Sequence, residues 1–190
     1  QPVQRVRLAL QACLPALGIA RCRVSLSPLT TRAALGNLAT STRRLENEYL
    51  IVEVAADDTL WLTHKGSQVR IGPLHVVEDG GDAGDTYHYT PPQRDALVTA
   101  MRAQSVALVE NGPLTAALRL SYVLHAPVGL SPDRHTRSRE LAPLTIQTLV
   151  RVRRGVPYVT FDTEVTNNHR DHRLRVLFPS QAESEVITSG

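Results

Sequence analysis

Lysine is almost missing from this 190-residue chain: Lys65 is the only one, and every other basic side chain except histidine is an arginine. The arginines are spread along strand-like segments, so the formal charge of +3 gathers into no basic stripe. Aromatics make up only 4% of the residues. A nucleic-acid binder interleaves clustered bases with stacking rings, so no nucleic-acid partner is expected. Long apolar runs are missing too. None approaches the roughly 20 residues that cross a bilayer, and no membrane partner is expected. The opening Gln1-Pro2-Val3-Gln4-Arg5 alternates like a strand and does not read as a secretory leader. The absent initiator methionine and the abrupt Ile187-Thr188-Ser189-Gly190 end make a piece of a longer polypeptide the expectation.

Cysteine is scarce as well. Cys13 and Cys22 flank a turn near Pro15–Gly18, in a segment that reads as a hairpin of residues 5–12 and 19–26. Because side chains alternate faces along a strand, Cys13 points opposite to Leu8 and Leu10, which argues against a disulfide unless a bulge resets the register. Two free thiols in a reducing, cytoplasmic setting are the favoured reading.

At 42% hydrophobic residues the chain has enough apolar surface for one substantial core, and a single domain over 1–190 is expected. Within it, 1–44 reads as a first hairpin plus an irregular connection with a short helical turn at 32–35, and 45–190 as the main sandwich. Strands are expected at 49–54 and 59–64 around Asp57-Asp58, and at Leu74–Val77 after a break at Gly72-Pro73. Further strands fall at 103–110, 114–124, 144–153, 157–166 and 173–178. The turns between them carry Asn111-Gly112-Pro113, Arg154-Gly155 and Asn167-Asn168. Residues 126–142, with two prolines and a run of arginines and histidine, read as a long exposed loop. Many short strands separated by glycine, proline and asparagine predict an all-β, antiparallel β-sandwich.

The chemistry concentrates in Glu78–Pro92, Glu-Asp-Gly-Gly-Asp-Ala-Gly-Asp-Thr-Tyr-His-Tyr-Thr-Pro-Pro. It reads as a loop in which Gly80, Gly81 and Gly84 permit positive φ and Pro91-Pro92 stiffen the exit. Asp79, Asp82 and Asp85 stand three apart, and paired carboxylates serve glycoside hydrolysis where two acids flank the bond being broken. Sequence leaves open whether any two of them face one substrate. Their spacing does not fit the alternate-residue calcium loop. In an extended exit, Asp85, Tyr87 and Tyr89 share a face, and a ring with a hydroxyl tip beside a carboxylate suits a sugar. Two tyrosines packed on a neighbouring strand are the alternative. Histidines 64, 75, 88, 125, 135, 169 and 172 offer no zinc pair at helical spacing, and each reads as a solvated turn histidine. No Ser-His-Asp set, phosphate loop or Cys-x-x-Cys is present, which argues against an autonomous hydrolase or nucleotide enzyme.

Three stretches taken in order (Leu45–Leu50, Asp58–Leu62 and Glu78–Pro92) resemble the C-terminal β-domain of glycoside hydrolase family 38 α-mannosidases, bacterial members above all. Asn167–Pro179 resembles a later strand of that domain, and Leu14–Gly18 its preceding hairpin. The resemblance implies a zinc-dependent, retaining, exo-acting α-mannosidase of which this chain is a truncated C-terminal β-domain. The zinc and the aspartate nucleophile are then expected in an N-terminal catalytic domain, leaving this fragment no catalytic residue and no metal of its own. Its contribution is expected to be substrate binding by Asp82, Asp85, Tyr87 and Tyr89, with a mannoside and the catalytic domain as partners. Uncovered sheet edges leave pairing with a second copy open. The alternative is a non-catalytic carbohydrate-binding or structural β-sandwich module.

Overall fold

Leu50, Val52 and Val54 alternate with Ile51 and Glu53, and Leu60-Trp61-Leu62-Thr63-His64 runs back beside them. A pattern of period two buries one face of each segment. In the computed structural model, which describes residues 10–12, 14–23 and 36–180, these segments close as a hairpin. Asp58 takes a φ of +65° at the turn and donates its N–H to the Ala55 carbonyl at 3.0 Å. The hairpin forms the middle of a five-stranded antiparallel sheet of β1 (Ala39–Ser41), β2 (Arg44–Glu46), β3 (Leu50–Val54), β4 (Leu60–His64) and β5 (Val69–Leu74), in that order. The chain continues through β6 (Val76–Gly81), β7 (Val98–Ala100), β8 (Ser105–Asn111), β9 (Thr115–Pro127), β10 (Leu141–Arg153), β11 (Thr160–Thr166) and β12 (His172–Leu177). These form a four-stranded sheet, β11-β10-β9-β8, and a three-stranded sheet, β12-β6-β7.

Long alternating runs set the spine. Leu118, Leu120, Tyr122 and Leu124 of β9 pair in register with Val150, Thr148, Ile146 and Leu144 of β10, and all eight side chains are buried. Each Leu, Ile or Val removed from water in this way contributes roughly 1.5–3 kcal/mol. Leu45, Val52 and Leu60 from the first sheet and Val77 from the third join them in one core. The expected antiparallel all-β sandwich is therefore present, and no helix occurs among the described residues. None is long and apolar enough to cross a membrane.

Four expectations need correction. The chain does not break at Gly72-Pro73, since β5 runs through that pair and its register to β4 shifts between Leu60 and Leu62. A Cβ on Gly72 would come within 2.7 Å of Trp61 Cε3, so glycine lets the irregular strand lie flat on the indole. The first four residues of Glu78–Pro92 are not a loop: Glu78–Gly81 complete β6, which has a strand on each side, and Asp79, Gly80 and Gly81 are buried there. Gly80, Gly81 and Gly84 do not use positive φ, which among the described glycines occurs at Gly72 and Gly155. Finally, residues 128–140 link β9 to β10, and the inserted side chain of Arg137 is buried.

Of the hairpin expected at 5–12 and 19–26, the described residues 10–12 and 19–23 form no strand and are exposed. The turn is present, with Gly18 N–H donating to the Pro15 carbonyl at 3.1 Å. The rest of that hairpin, Cys13 and the helical turn at 32–35 lie outside the described residues. Cys22 is a free, exposed thiol.

Candidate functional site

A carboxylate placed on a central strand must find partners or lose its charge. Asp79 on β6 has no solvent exposure and finds two. Arg137 donates from Nη2 to Asp79 Oδ2 at 2.5 Å, and His172 Nδ1 lies 2.5 Å from Oδ1. Burial alone would raise the Asp79 carboxyl. The hydrogen bonds from His172 and Arg137 outweigh it and hold the group below the usual carboxylate range. Arg137 also donates to the backbone carbonyls of Asp79 at 3.3 Å and Pro127 at 3.4 Å, tying β6 to the end of β9.

The glycines beside Asp79 are there for space. A Cβ on Gly80 would meet Leu97 Cδ2 at 2.9 Å, and one on Gly81 would meet Pro92 Cγ at 2.9 Å and Arg137 Cγ at 3.2 Å. The two glycines thus admit the 92–97 segment and the arginine against the strand. Sequence reading took His169 and His172 for solvated histidines, but both belong to this buried layer. His169 is 6% exposed and donates from Nε2 toward the Ala126 and Ala142 carbonyls at 3.2 and 3.3 Å. The His172 side chain is equally shielded at 6%. His75 corrects the same expectation elsewhere in the core: it is fully buried, stacked on Tyr122 and Phe161, with Nε2 against Thr148 and Thr163.

Above the buried layer lies an open cleft of about 370 Å³, lined by Asp82, Gly84, Asp85, Thr86, Asp171 and His172. Two chain segments are stitched together at its rim. Asp82 N–H donates to the Asp171 carbonyl at 2.9 Å, and Arg134 pairs with Asp171 at 3.3 Å. The segment after β6 is a folded turn and not the extended exit expected. Asp85 Oδ1 accepts the N–H groups of Tyr87 and His88, both at 2.8 Å, and these bonds lower its pKa. Asp82 Oδ1 accepts those of Gly84 and Thr90 at 2.9 and 3.1 Å. A Cβ on Gly84 would lie 1.8 Å from the His88 carbonyl oxygen, so only glycine lets the turn close on itself.

Of the four residues singled out from sequence, Asp82 and Asp85 line the cleft together. Tyr87 stands outside it, 88% exposed, and Tyr89 carries Arg173 over its ring at 4.4 Å. Among the described residues the second oxygen of each carboxylate, Oδ2, has no protein hydrogen bond, which leaves it able to accept from a hydroxyl. Sequence reading missed Asp171, Arg137 and the part played by His172. The His169-Arg170-Asp171-His172 spacing was the available signal for the first and last, whereas nothing in a polar loop marks Arg137. The described residues hold no group of three or more His, Cys, Asp or Glu suited to a metal ion.

Residues 45–190 match the family model described as the glycosyl hydrolases family 38 C-terminal domain. The chain is 25% identical over 154 residues to a "Putative mannosylglycerate hydrolase" of Halalkalibacterium halodurans, covering 73% of this chain and 17% of that protein. It superposes on an α-mannosidase structure from Enterococcus faecalis V583 with a TM-score of 0.74 at 28% identity, covering 79% of this chain and 19% of that one. A family 38 glycosyl hydrolase structure from Enterococcus faecalis gives a TM-score of 0.71 at 28% identity, covering 76% and 19% of the two chains. The chain thus spans less than a fifth of the length of each relative.

Proposed function

The chain belongs to the glycosyl hydrolase family 38 C-terminal domains, and on that premise we propose that it serves a retaining, zinc-dependent α-mannosidase that removes terminal α-linked mannose. In this reading the chain braces a catalytic domain that lies outside it and presents the 82–90 turn to the sugar pocket. The carrying observation is the cleft, where Asp82 and Asp85 stand beside Asp171 on a floor made rigid by buried ion pairs. Each of these two carboxylates has one oxygen engaged by backbone N–H groups, which fixes its direction. The other oxygen carries no protein hydrogen bond among the described residues, and preorganised acceptors of this kind bind hydroxyls at little cost in ordering. Tyr87 would offer a ring face to the C–H side of a pyranose, and Tyr89, with Arg173 over its ring, would offer its hydroxyl. The described residues of this chain hold no ligand group suited to a metal ion, and zinc would be held elsewhere in the polypeptide.

The test is made in the intact enzyme with an aryl α-mannoside. Asp82→Asn, Asp85→Asn and Tyr87→Ala are each expected to lower kcat/KM about five- to tenfold, roughly 1–1.4 kcal/mol. Values all within twofold of wild type, under about 0.5 kcal/mol, would sink the proposal. One observation favours a second reading: the backbone bonds accepted by Asp82 and Asp85 also suit a purely structural turn. On that reading the same variants lower Tm and leave kinetics alone.

A further inference from the structure

His172 sits between the buried layer and the cleft, and both of its ring nitrogens face oxygen acceptors. Nδ1 lies 2.5 Å from Asp79 Oδ1, a carboxylate oxygen that can only accept. Nε2 lies 3.1 Å from Asn167 Oδ1. The orientation of that amide is settled independently, because Oδ1 also accepts the backbone N–H of His169 at 3.0 Å. A neutral imidazole donates from one nitrogen only and would leave the other lone pair against an oxygen. Two acceptors therefore call for two N–H donors.

We propose that His172 is held as a doubly protonated imidazolium and acts as a positioning residue for the cleft. The assignment rests on the reading of the cleft as part of the mannoside site. Its neighbours favour the extra proton. Asp79 lies beneath it on β6, Asp171 precedes it in the turn, and Asp82 and Asp85 line the same cleft from the turn after β6. Two groups oppose it. Arg137, from the β9–β10 link, is paired to the far oxygen of Asp79, and Arg134, from the same link, is paired to Asp171. The ring of His169 lies 5.7 Å away with its Nε2 turned to backbone carbonyls. The imidazolium pins the start of β12 to β6. Asp171 then stays where its carbonyl receives the Asp82 N–H, and the carboxylates of the turn keep their aim.

Two measurements on the intact enzyme decide this. Neutron diffraction at neutral pD is expected to show deuterium on both Nδ1 and Nε2 of His172, and deuterium on one nitrogen only overturns the proposal. His172→Asn keeps a donor toward Asp79 but cannot carry charge. It is expected to raise KM for an aryl α-mannoside roughly tenfold, the size of one charge-assisted hydrogen bond lost. The same variant should leave kcat within about twofold. An unchanged KM, or a kcat that falls as far as KM rises, overturns the positioning role. Should the wild-type enzyme prove inactive on mannosides, the functional reading fails while the neutron result still decides the state of the ring.

Discussion

His75 has no solvent contact and an Nδ1 without a hydrogen-bond partner, and burial depresses its pKa from 6.5 to about 4. The unfolded chain takes up a proton near pH 6.5 that the folded ring refuses until about pH 4. Acid therefore draws the equilibrium toward unfolding across that window. Stability is expected to fall by on the order of 3 kcal/mol between these pH values, measured by urea unfolding at stepped pH. His75→Asn, which tolerates the positive φ of 58° at this corner, should flatten that slope even though it loses ring packing. Asp79 works in the same sense at lower pH. Its folded carboxyl lies below its unfolded value, so its ion pairs contribute fully above the usual carboxylate range. They are lost only as pH falls through the lower, folded value. The two groups therefore act in separate parts of the acid limb.

Among the elements, the turn after β6 depends most on a single residue. Asp82 and Asp85 cap neighbouring backbone N–H groups, and Gly84 lets the chain cross the His88 carbonyl. Gly84→Ala must open the turn, because the clash is with backbone and not with a side chain that can move aside. The expected result in the intact enzyme is a loss of kcat/KM of more than about tenfold. The Tm change should be small beside that of a core truncation such as Leu118→Ala, for which roughly 2–5 kcal/mol is lost. Differential scanning fluorimetry beside steady-state kinetics checks both. The β9–β10 ladder was legible in sequence because Leu118, Leu120 and Tyr122 alternate without interruption. β6 was not: its last four residues, Glu-Asp-Gly-Gly, have the composition of a turn and form a strand only because β12 and β7 pair on either side.

In the whole molecule, segments far apart in sequence converge at one end of the sandwich: the 82–90 turn, the 128–140 link and the 167–171 turn. Arg137 binds them from beneath. It reaches Asp79, which holds His172, and the Pro127 carbonyl, while Arg134 of the same link reaches Asp171. Replacing Arg137 with alanine leaves a buried carboxylate short of one of its two side-chain partners, and losing one member of a buried pair costs about 3–5 kcal/mol. Hydrogen–deuterium exchange on Arg137→Ala is expected to rise together in all of these segments. The β3–β4 hairpin, which shares none of the contacts, should keep its protection. Exchange that rises in the 128–140 link alone would show that the segments are not coupled through Arg137.

Taken alone, the sequence determined the all-β class, most strand positions from Tyr49 onward and the main turns. All of these follow from local alternation and from the φ preferences of glycine, proline and asparagine, which act within a few residues. It also placed Asp82 and Asp85 among the candidate binding residues, since carboxylates in a glycine-rich segment stand out by composition. Only the tertiary structure decided that Asp79 faces inward, that Arg137 leaves its polar loop to meet it, and that His172 joins the buried layer to the cleft. Those three residues are separated by 58 and 93 positions along the chain. Their charges become tolerable only once sheet pairing brings them within hydrogen-bond reach, and no local pattern carries that information.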